Sequence, residues 1–188
     1  MIKVIISGDN YKRCVDFAND MWANKKKGLY GSGVGNSKGD PTRVERIGAL
    51  GEMAIHMETG LPLDFRYVKG GKPYDFILED GTTIDAKTTQ TKDRSYIFYK
   101  YPQSTDKERV FNTKSKPVCD LYIVCQVLKD SLNDNEGIVL IRGYQDKDYV
   151  LELPIRRSRV SGQMHFNLEL DFKTLRGMGE ILQRLKGG

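Results

Sequence analysis

The fold is decided by one stretch of sequence, Tyr74-Asp75-Phe76-Ile77-Leu78-Glu79-Asp80-Gly81-Thr82-Thr83-Ile84-Asp85-Ala86-Lys87-Thr88-Thr89. This stretch predicts two β-strands joined by a tight turn at residues 79–82, because Asp-Gly between apolar or β-branched runs is a strong hairpin signal. Asp75 falls at the start of the first strand. Asp85 and Lys87 lie two residues apart on the second strand, so they share one face of it. Two carboxylates and an ammonium on one patch of sheet indicate a metal site with a cationic neighbour.

The composition predicts one globular domain with its own core. The chain has 188 residues, of which 39% are hydrophobic and 29% charged, which fits a soluble protein. No apolar run approaches the ~20 residues that span a bilayer. The N-terminal segment predicts a strand rather than a signal peptide. We therefore expect a cytoplasmic protein with no membrane partner, and the net charge of +5 permits a polyanionic one.

Two helices are predicted before the hairpin, after a short strand at residues 2–6. Apolar residues recur at helical spacing over residues 10–26 and form one face. The second helix begins at Asp40-Pro41, an N-cap followed by proline, and ends at Gly60. It carries Glu52 in a largely apolar segment, where a carboxylate must reach either the surface or a partner. The glycine-rich segment before this helix lacks the P-loop pattern, so nucleotide binding through it is rejected.

The rest of the chain alternates between strands and short helices. Residues 63–68 predict a strand that would complete a three-stranded antiparallel meander with the hairpin. The other predicted elements, in chain order, are a short helix near 106–114, strands at 121–127 and 137–144, one or two helical turns at 146–151, a strand at 165–170, and a last helix capped by Asp171.

The acidic residues of the hairpin suit a magnesium ion. Mg²⁺ takes oxygen ligands, often one or two carboxylates with several waters. Asp75 and Asp85 on adjacent strands can converge on such an ion, and Glu52 could add a carboxylate directly or through water. Lys87 would then stabilise charge on a phosphate or orient an attacking water. The alternative is a surface salt-bridge cluster, which would stabilise the fold little. Zinc is not indicated, because the sequence has no His cluster or Cys pair.

The order of these elements and residues resembles the PD-(D/E)XK nuclease superfamily over roughly residues 42–127. The resemblance runs from a helix bearing a glutamate, through the hairpin, to the apolar strand that follows a basic connection. The ten-residue spacing from Asp75 to Asp85 across a glycine turn matches more specifically than a DxK triplet alone. The resemblance implies an α/β (α+β) fold with a restriction-endonuclease-like core, a mixed central β-sheet flanked by helices. Residues 1–188 would form a single domain.

The resemblance also assigns roles to individual residues. Asp75 matches the first carboxylate of the motif, Asp85 the D/E position and Lys87 the lysine. Glu52 resembles the helical glutamate that many members place near the metal, and the backbone carbonyl of Ala86 would be a further ligand. The implied function is a Mg²⁺-dependent DNA endonuclease, with Mn²⁺ as a substitute metal. Two alternatives stay open, a structure-selective nuclease such as a junction resolvase or exonuclease, and a non-catalytic nucleic-acid-binding module of the same fold.

The predicted nucleic-acid contacts follow from charge and from interleaved aromatic residues. Basic and aromatic residues alternate through residues 90–118, which suits phosphate contact and base stacking, although a solvated charged face is equally consistent. The predicted contacts are Lys92, Arg94, Lys100, Arg156, Arg157 and Arg159. The expected partner is DNA, with RNA as an open alternative, and duplex cleavage would suggest a homodimer that presents two sites.

Overall fold

The structure is a computed structural model that describes residues 1–26, 40–66, 73–99, 119–128, 135–160 and 163–186. Its elements are β1 (Ile2–Ser7), α1 (Gly8–Lys26), α2 (Arg43–Thr59), β2 (Phe76–Ile77), β3 (Thr83–Thr89), β4 (Arg94–Tyr99), β5 (Leu121–Val127), β6 (Glu136–Asp146), α3 (Lys147–Glu152), β7 (Ile155–Val160), β8 (Gln163–Asp171) and α4 (Leu182–Leu185). Two short 3₁₀ turns, Phe172–Thr174 and Met178–Glu180, lie between β8 and α4. None of the described helices is both long and apolar enough to cross a membrane.

A mixed five-stranded sheet forms the centre of the fold, in the strand order β1-β6-β5-β3-β2. β3 and β5 run parallel, and the other neighbouring strands run antiparallel. A parallel pair needs a long crossover connection, and β4 lies within it. β5 is buried along its whole length because it is central, which explains its unbroken apolar sequence. The predicted mixed α/β class, with a mixed sheet flanked by helices, is confirmed.

Helices α1 and α2 contribute to the larger of two hydrophobic cores, on one face of this sheet. Apolar residues of α2 recur at helical spacing and pack against alternate residues of the strands. Leu50, Met53 and Ile55 are fully buried there, and burying such side chains stabilises the fold by about 1.5–3 kcal/mol each. α2 ends at Gly60, whose left-handed backbone (φ 78°) lets its N–H donate to the His56 carbonyl.

A second, smaller core lies against the other face of β5. Tyr122 and Val124 belong to it, whereas Ile123 and Cys125, which alternate with them, belong to the larger core. Leu168 and Leu170 complete the smaller core from β8. β8 is the central strand of a separate antiparallel sheet with the order β4-β8-β7. β5 is therefore buried on both faces. The face that carries Tyr122 and Val124 packs against the second sheet.

The predicted strand at residues 63–68 is wrong over the residues that the structure describes. Residues 63–66 form no strand, and among the described residues β2 pairs with β3 alone, so this part of the chain adds no third strand to the hairpin. Phe65 stacks on Phe17 of α1, with ring centroids 4.5 Å apart. The Asp64 carboxylate accepts a hydrogen bond from the Arg66 backbone N–H at 3.0 Å. The stacking holds the segment against α1, and the hydrogen bond holds it in a local turn. Both compete with the backbone pairing that a β-strand would need.

The predicted start of α2 is also corrected. The helix begins at Arg43 and not at Asp40-Pro41. The Asp40 carboxylate accepts hydrogen bonds from both the backbone N–H and the hydroxyl of Thr42, at 3.0 Å each. It also pairs with Arg46 at 2.6 Å. Asp40 thus stabilises a turn that precedes the helix, because its side chain bonds to the residue two positions ahead.

The predicted last helix is broken into pieces. Asp171 caps only a single 3₁₀ turn, and α4 is limited to Leu182–Leu185. Between them, Arg176 and Tyr144 of β6 exchange backbone hydrogen bonds of 3.0 and 3.1 Å, which a continuous helix would not allow. Met178, Ile181 and Leu185 of this segment are buried, and Leu175 and Leu182 are partly buried. The predicted helix near 106–114 and the glycine-rich segment 28–39 lie outside the described residues.

Candidate metal centre at the hairpin

The hairpin forms at the predicted position, and it places Asp75 against β3. Gly81 adopts a left-handed conformation (φ 84°), and the Leu78 N–H donates to the Thr82 carbonyl at 2.9 Å to close the turn. Before β2, the Asp75 backbone N–H donates to the Ile84 carbonyl at 2.9 Å. The Asp75 carboxylate Oδ2 accepts from the Ala86 N–H at 2.7 Å. Asp75 therefore extends the β-ladder with its side chain, and this fixes its carboxylate beside β3.

Asp85 and Lys87 share a face of β3, as the two-residue spacing predicts. The Lys87 ammonium Nζ lies 2.7 Å from Asp85 Oδ2, and the two side chains are 25% and 22% exposed. The neighbouring β3 residues Ile84 and Ala86 pack instead into the core beneath α2. The charged pair thus lies on the face of β3 away from that core, in a half-buried position where charge interactions are screened less than at the surface.

Asp85 is close enough to Asp75 to oppose its ionisation. The pKa of Asp75 is raised from 3.8 to about 7, first by burial and then by the negative charge of Asp85. The Ala86 N–H and the Lys87 ammonium favour the ionised form of Asp75, but a hydrogen bond with Asp85 favours the protonated one. A pKa of about 7 means that Asp75 is partly protonated near neutral pH. A divalent cation would relieve the same repulsion, and carboxylate oxygens are the donors that Mg²⁺ prefers.

Lys87 remains a cation in this environment. Burial alone would lower its pKa. The charge and hydrogen bond of Asp85, together with the charge of Asp75, outweigh this effect, so that the pKa of Lys87 is raised above its ordinary value. A lysine with a raised pKa is protonated at neutral pH. Lys87 can therefore stabilise negative charge or orient a water molecule, but it cannot act as a general base.

Cys119 is a neighbour of the site that the sequence did not single out. Its thiol donates to the Pro73 carbonyl at 3.2 Å, two residues before Asp75. Burial, then the charges of Asp85 and Asp75, raise the pKa of this thiol to about 12, so it stays neutral. No local signal could have identified Cys119, because it reaches the hairpin only through the parallel pairing of β3 with β5.

Asp120 fastens the beginning of β5 to the beginning of β3. Its carboxylate Oδ2 accepts from the Thr83 N–H at 2.9 Å and from the Thr83 hydroxyl at 2.8 Å. In return, the Asp120 N–H donates to the Thr83 carbonyl at 3.1 Å. These bonds hold the pKa of Asp120 below its usual range. Asp120 thereby fixes the register of the strand that carries Asp85 and Lys87.

The structure does not assemble Glu52 with the two aspartates into a metal-binding group. Within the described ranges, no three His, Cys, Asp or Glu side chains are arranged to hold a metal ion. Glu52 is half-buried on α2, and its charge contributes, after burial, to the raised pKa of the Cys14 thiol. The metal-binding roles of Glu52 and of the Ala86 carbonyl stay predictions.

The predicted nucleic-acid contacts are placed as follows. Lys92 is exposed in the connection before β4. Arg94 pairs with Asp93 at 2.8 Å and with Glu169 at 2.9 Å, so two carboxylates already compensate its charge. Arg156, Arg157 and Arg159 lie on β7, and Lys100 lies outside the described residues.

No protein-family model and no curated protein matches the chain. The site is therefore characterised by its own chemistry. Asp75, whose pKa is raised, lies close to Asp85, and the Lys87 ammonium supplies a cation beside the two carboxylates. Such a combination of oxygen donors and a cation can bind a hard divalent ion next to an anionic group.

Proposed function

We propose that the protein is a Mg²⁺-dependent DNA endonuclease of the PD-(D/E)XK type, with a restriction-endonuclease-like core over residues 42–127. One observation carries the proposal, the carboxylate pair of Asp75 and Asp85 with Lys87 at 2.7 Å from Asp85. A purely structural salt bridge would need one carboxylate for one lysine. The second carboxylate raises the local negative charge, which favours a site for a divalent cation.

Each residue of the site has a distinct part in the proposed hydrolysis. Asp75 and Asp85 would hold the metal through carboxylate oxygens, with Glu52 and the Ala86 carbonyl as further proposed ligands. When bound, the metal supplies a Lewis acid for the phosphodiester and an acidified water. Lys87, which stays protonated, would orient the attacking water and stabilise the charge that develops on the phosphoryl oxygens. The Ala86 N–H keeps the Asp75 carboxylate in place.

Cleavage of plasmid DNA tests the proposal directly. Supercoiled and linear DNA are incubated with Mg²⁺ or Mn²⁺ and the wild type, Asp85→Ala or Lys87→Ala. We expect metal-dependent cleavage by the wild type and a loss of about 10²-fold or more in each variant, as for removal of an electrostatic catalytic group. Asp148→Ala is the matched control, because Asp148 is exposed on α3. Equal activity in all four proteins would refute the proposal. Branched and single-stranded substrates in the same assay identify a junction resolvase or an exonuclease.

A second candidate is a non-catalytic nucleic-acid-binding module. It is favoured by one observation, that the described residues contain no group of three side chains able to hold a metal. Titration calorimetry with Mn²⁺ separates the two candidates. Heat of binding that disappears in Asp85→Ala favours the nuclease, whereas retention of DNA without any metal binding favours the module.

A further inference from the structure

Helix α2 approaches β3 more closely at Gly51 than any side chain would permit. A methyl group at Gly51 would lie 1.8 Å from the Thr88 hydroxyl oxygen, 2.9 Å from Thr88 Cβ and 3.0 Å from Thr88 Cγ2. Contacts below about 3 Å are repulsive, and overpacking of this kind forces the backbone or rotamers to shift. All three atoms belong to Thr88, so a side chain at position 51 would clash with this one residue of β3.

This point of contact is adjacent in sequence to the proposed site on both sides. Thr88 directly follows Lys87 on β3, and Gly51 directly precedes Glu52 on α2. The Gly51 carbonyl also accepts a weak hydrogen bond from the Cys125 thiol of β5, at 3.8 Å. Gly51 thus contacts the two parallel strands at the centre of the sheet, one of which carries Asp85 and Lys87.

Hydrogen bonding does not explain the contact. Among the described residues, the Thr88 hydroxyl is buried and has no hydrogen-bond partner, which is an unfavourable arrangement. Gly48, one turn earlier on the same helix, has open space where its Cβ would be. A need for glycine therefore exists at position 51 and not at position 48.

We propose that Gly51 is a positioning residue for Lys87 and Asp85, a role that rests on the proposed nuclease function. Residues on a strand point alternately to its two faces, so Thr88 and Lys87 occupy opposite faces at neighbouring positions. Any shift of Thr88 away from α2 moves the adjacent Lys87 backbone with it. The close approach at Gly51 holds β3 where the Ala86 N–H reaches the Asp75 carboxylate, and this sets how far Asp85 and Lys87 lie from Asp75.

A pair of matched variants tests this role by kinetics. Gly51→Ala inserts a methyl group into Thr88, whereas Gly48→Ala inserts the same group into open space. We expect Gly51→Ala to lower kcat for DNA cleavage by about 10- to 100-fold with an unchanged KM, because a misplacement of about 1 Å reduces rates on this order. Gly48→Ala should keep the wild-type kcat. Adding Thr88→Gly to Gly51→Ala removes every clashing atom and should restore most of the activity.

An NMR readout makes the test independent of catalysis. The amide proton of Ala86 reports its hydrogen bond to Asp75 in the metal-free protein. Its chemical shift should differ from the wild-type value in Gly51→Ala and equal that value in Gly48→Ala. In the double variant Gly51→Ala/Thr88→Gly it should return towards the wild-type value. If the wild type does not cleave DNA, the proposed function fails, while the Ala86 shift still decides whether Gly51 positions the site.

Two results would overturn the role of Gly51. One is a Gly51→Ala protein with the wild-type kcat and Ala86 shift, and the other is a defect that Thr88→Gly does not relieve. Thr88→Gly alone removes the contact between α2 and β3 at this position without introducing a clash. It therefore tests the role of the contact even if Gly51→Ala does not fold. An unchanged Ala86 shift in that folded variant would also count against the proposal.

Discussion

The ionised Asp75 carboxylate would bind the proposed metal, but in the metal-free protein it is unfavourable for the stability of the fold. Its pKa is raised to about 7 by burial and by the Asp85 charge, so the folded protein holds a proton there that an unfolded chain releases at lower pH. The stabilising contribution of this proton is complete below the ordinary aspartate pKa of 3.8. It is lost as the pH rises through that range to about 7.

Replacing Asp75 by asparagine should therefore stabilise the metal-free protein above pH 7. Asparagine can still accept the Ala86 N–H hydrogen bond but never ionises, so we expect a gain of about 1–3 kcal/mol in the free energy of unfolding. The gain should grow between pH 4 and pH 7 and stay constant above. Urea unfolding at pH 4, 7 and 8 measures it, with Asp148→Asn as an exposed control. A gain that is independent of pH would contradict the raised pKa.

The residues that sequence reasoning found are those with local signals. Asp85 and Lys87 share a face because strand periodicity requires it, and the turn forms at Gly81 because Asp-Gly favours it. The raised pKa of Asp75 and the proximity of Cys119 could not be predicted. The raised pKa depends first on burial, which comes from tertiary packing, and Cys119 reaches the hairpin through the pairing of β3 with β5, which no local pattern encodes.

At the scale of elements, Gly143 of β6 lies at the contact that interrupts the predicted C-terminal helix. A Cβ on Gly143 would lie 2.4 Å from the Arg176 carbonyl oxygen and 2.9 Å from Leu175 Cβ. The backbone bridge between Tyr144 and Arg176 draws the C-terminal segment against β6 at this position. Glycine is therefore required there for close approach.

Substituting Gly143 by alanine should destabilise the fold by about 2–3 kcal/mol, since the clash is with a backbone oxygen that cannot rotate away. Gly179→Ala is the matched control, because its Cβ would meet nothing within 4 Å. Thermal unfolding of both variants measures the difference in midpoint. Similar midpoints for the two variants would show that the C-terminal segment yields easily to the added methyl group.

Elements were predicted well where one pattern dominated and poorly where tertiary contacts competed. The apolar run of β5 and the periodic face of α1 identified them, and the bounds are close to those observed. The alternation of apolar and polar residues at 63–68 predicted a strand. Residues 63–66 instead form no strand, and Phe65 stacks on Phe17 of α1. The apolar spacing after Asp171 suggested one helix, which the bridge from β6 to Arg176 interrupts.

On the scale of the whole molecule, the net charge of +5 sets the expected response to salt. If DNA is the partner, its affinity should fall by about 10-fold or more between 50 and 200 mM salt, because binding releases counterions. Neutralising Arg156, Arg157 or Arg159 with glutamine should each reduce the slope of log K against log salt by about 1. Fluorescence anisotropy with labelled duplex measures both effects.

The control for the salt experiment is Lys147→Gln, which removes an equal charge from the first turn of α3. We expect it to leave the slope unchanged. A slope near zero for the wild type would rule out phosphate contacts as the source of binding. Equal reductions of the slope in Lys147→Gln and in the β7 variants would show that total charge, and not the three arginines of β7, determines affinity.

The pairing of β1 with β6 constrains how the protein is made. Ile2 lies opposite Ile141, so the partner of the first strand emerges from the ribosome last among the strands of the central sheet. At about 5–20 residues per second, the first strand waits on the order of ten seconds. During that time Val4 and Ile6, which are buried in the finished sheet, have no strand to pair with. Until β6 is synthesised, α1 and α2, which contact β1 in the folded protein, are the elements available to cover these apolar side chains.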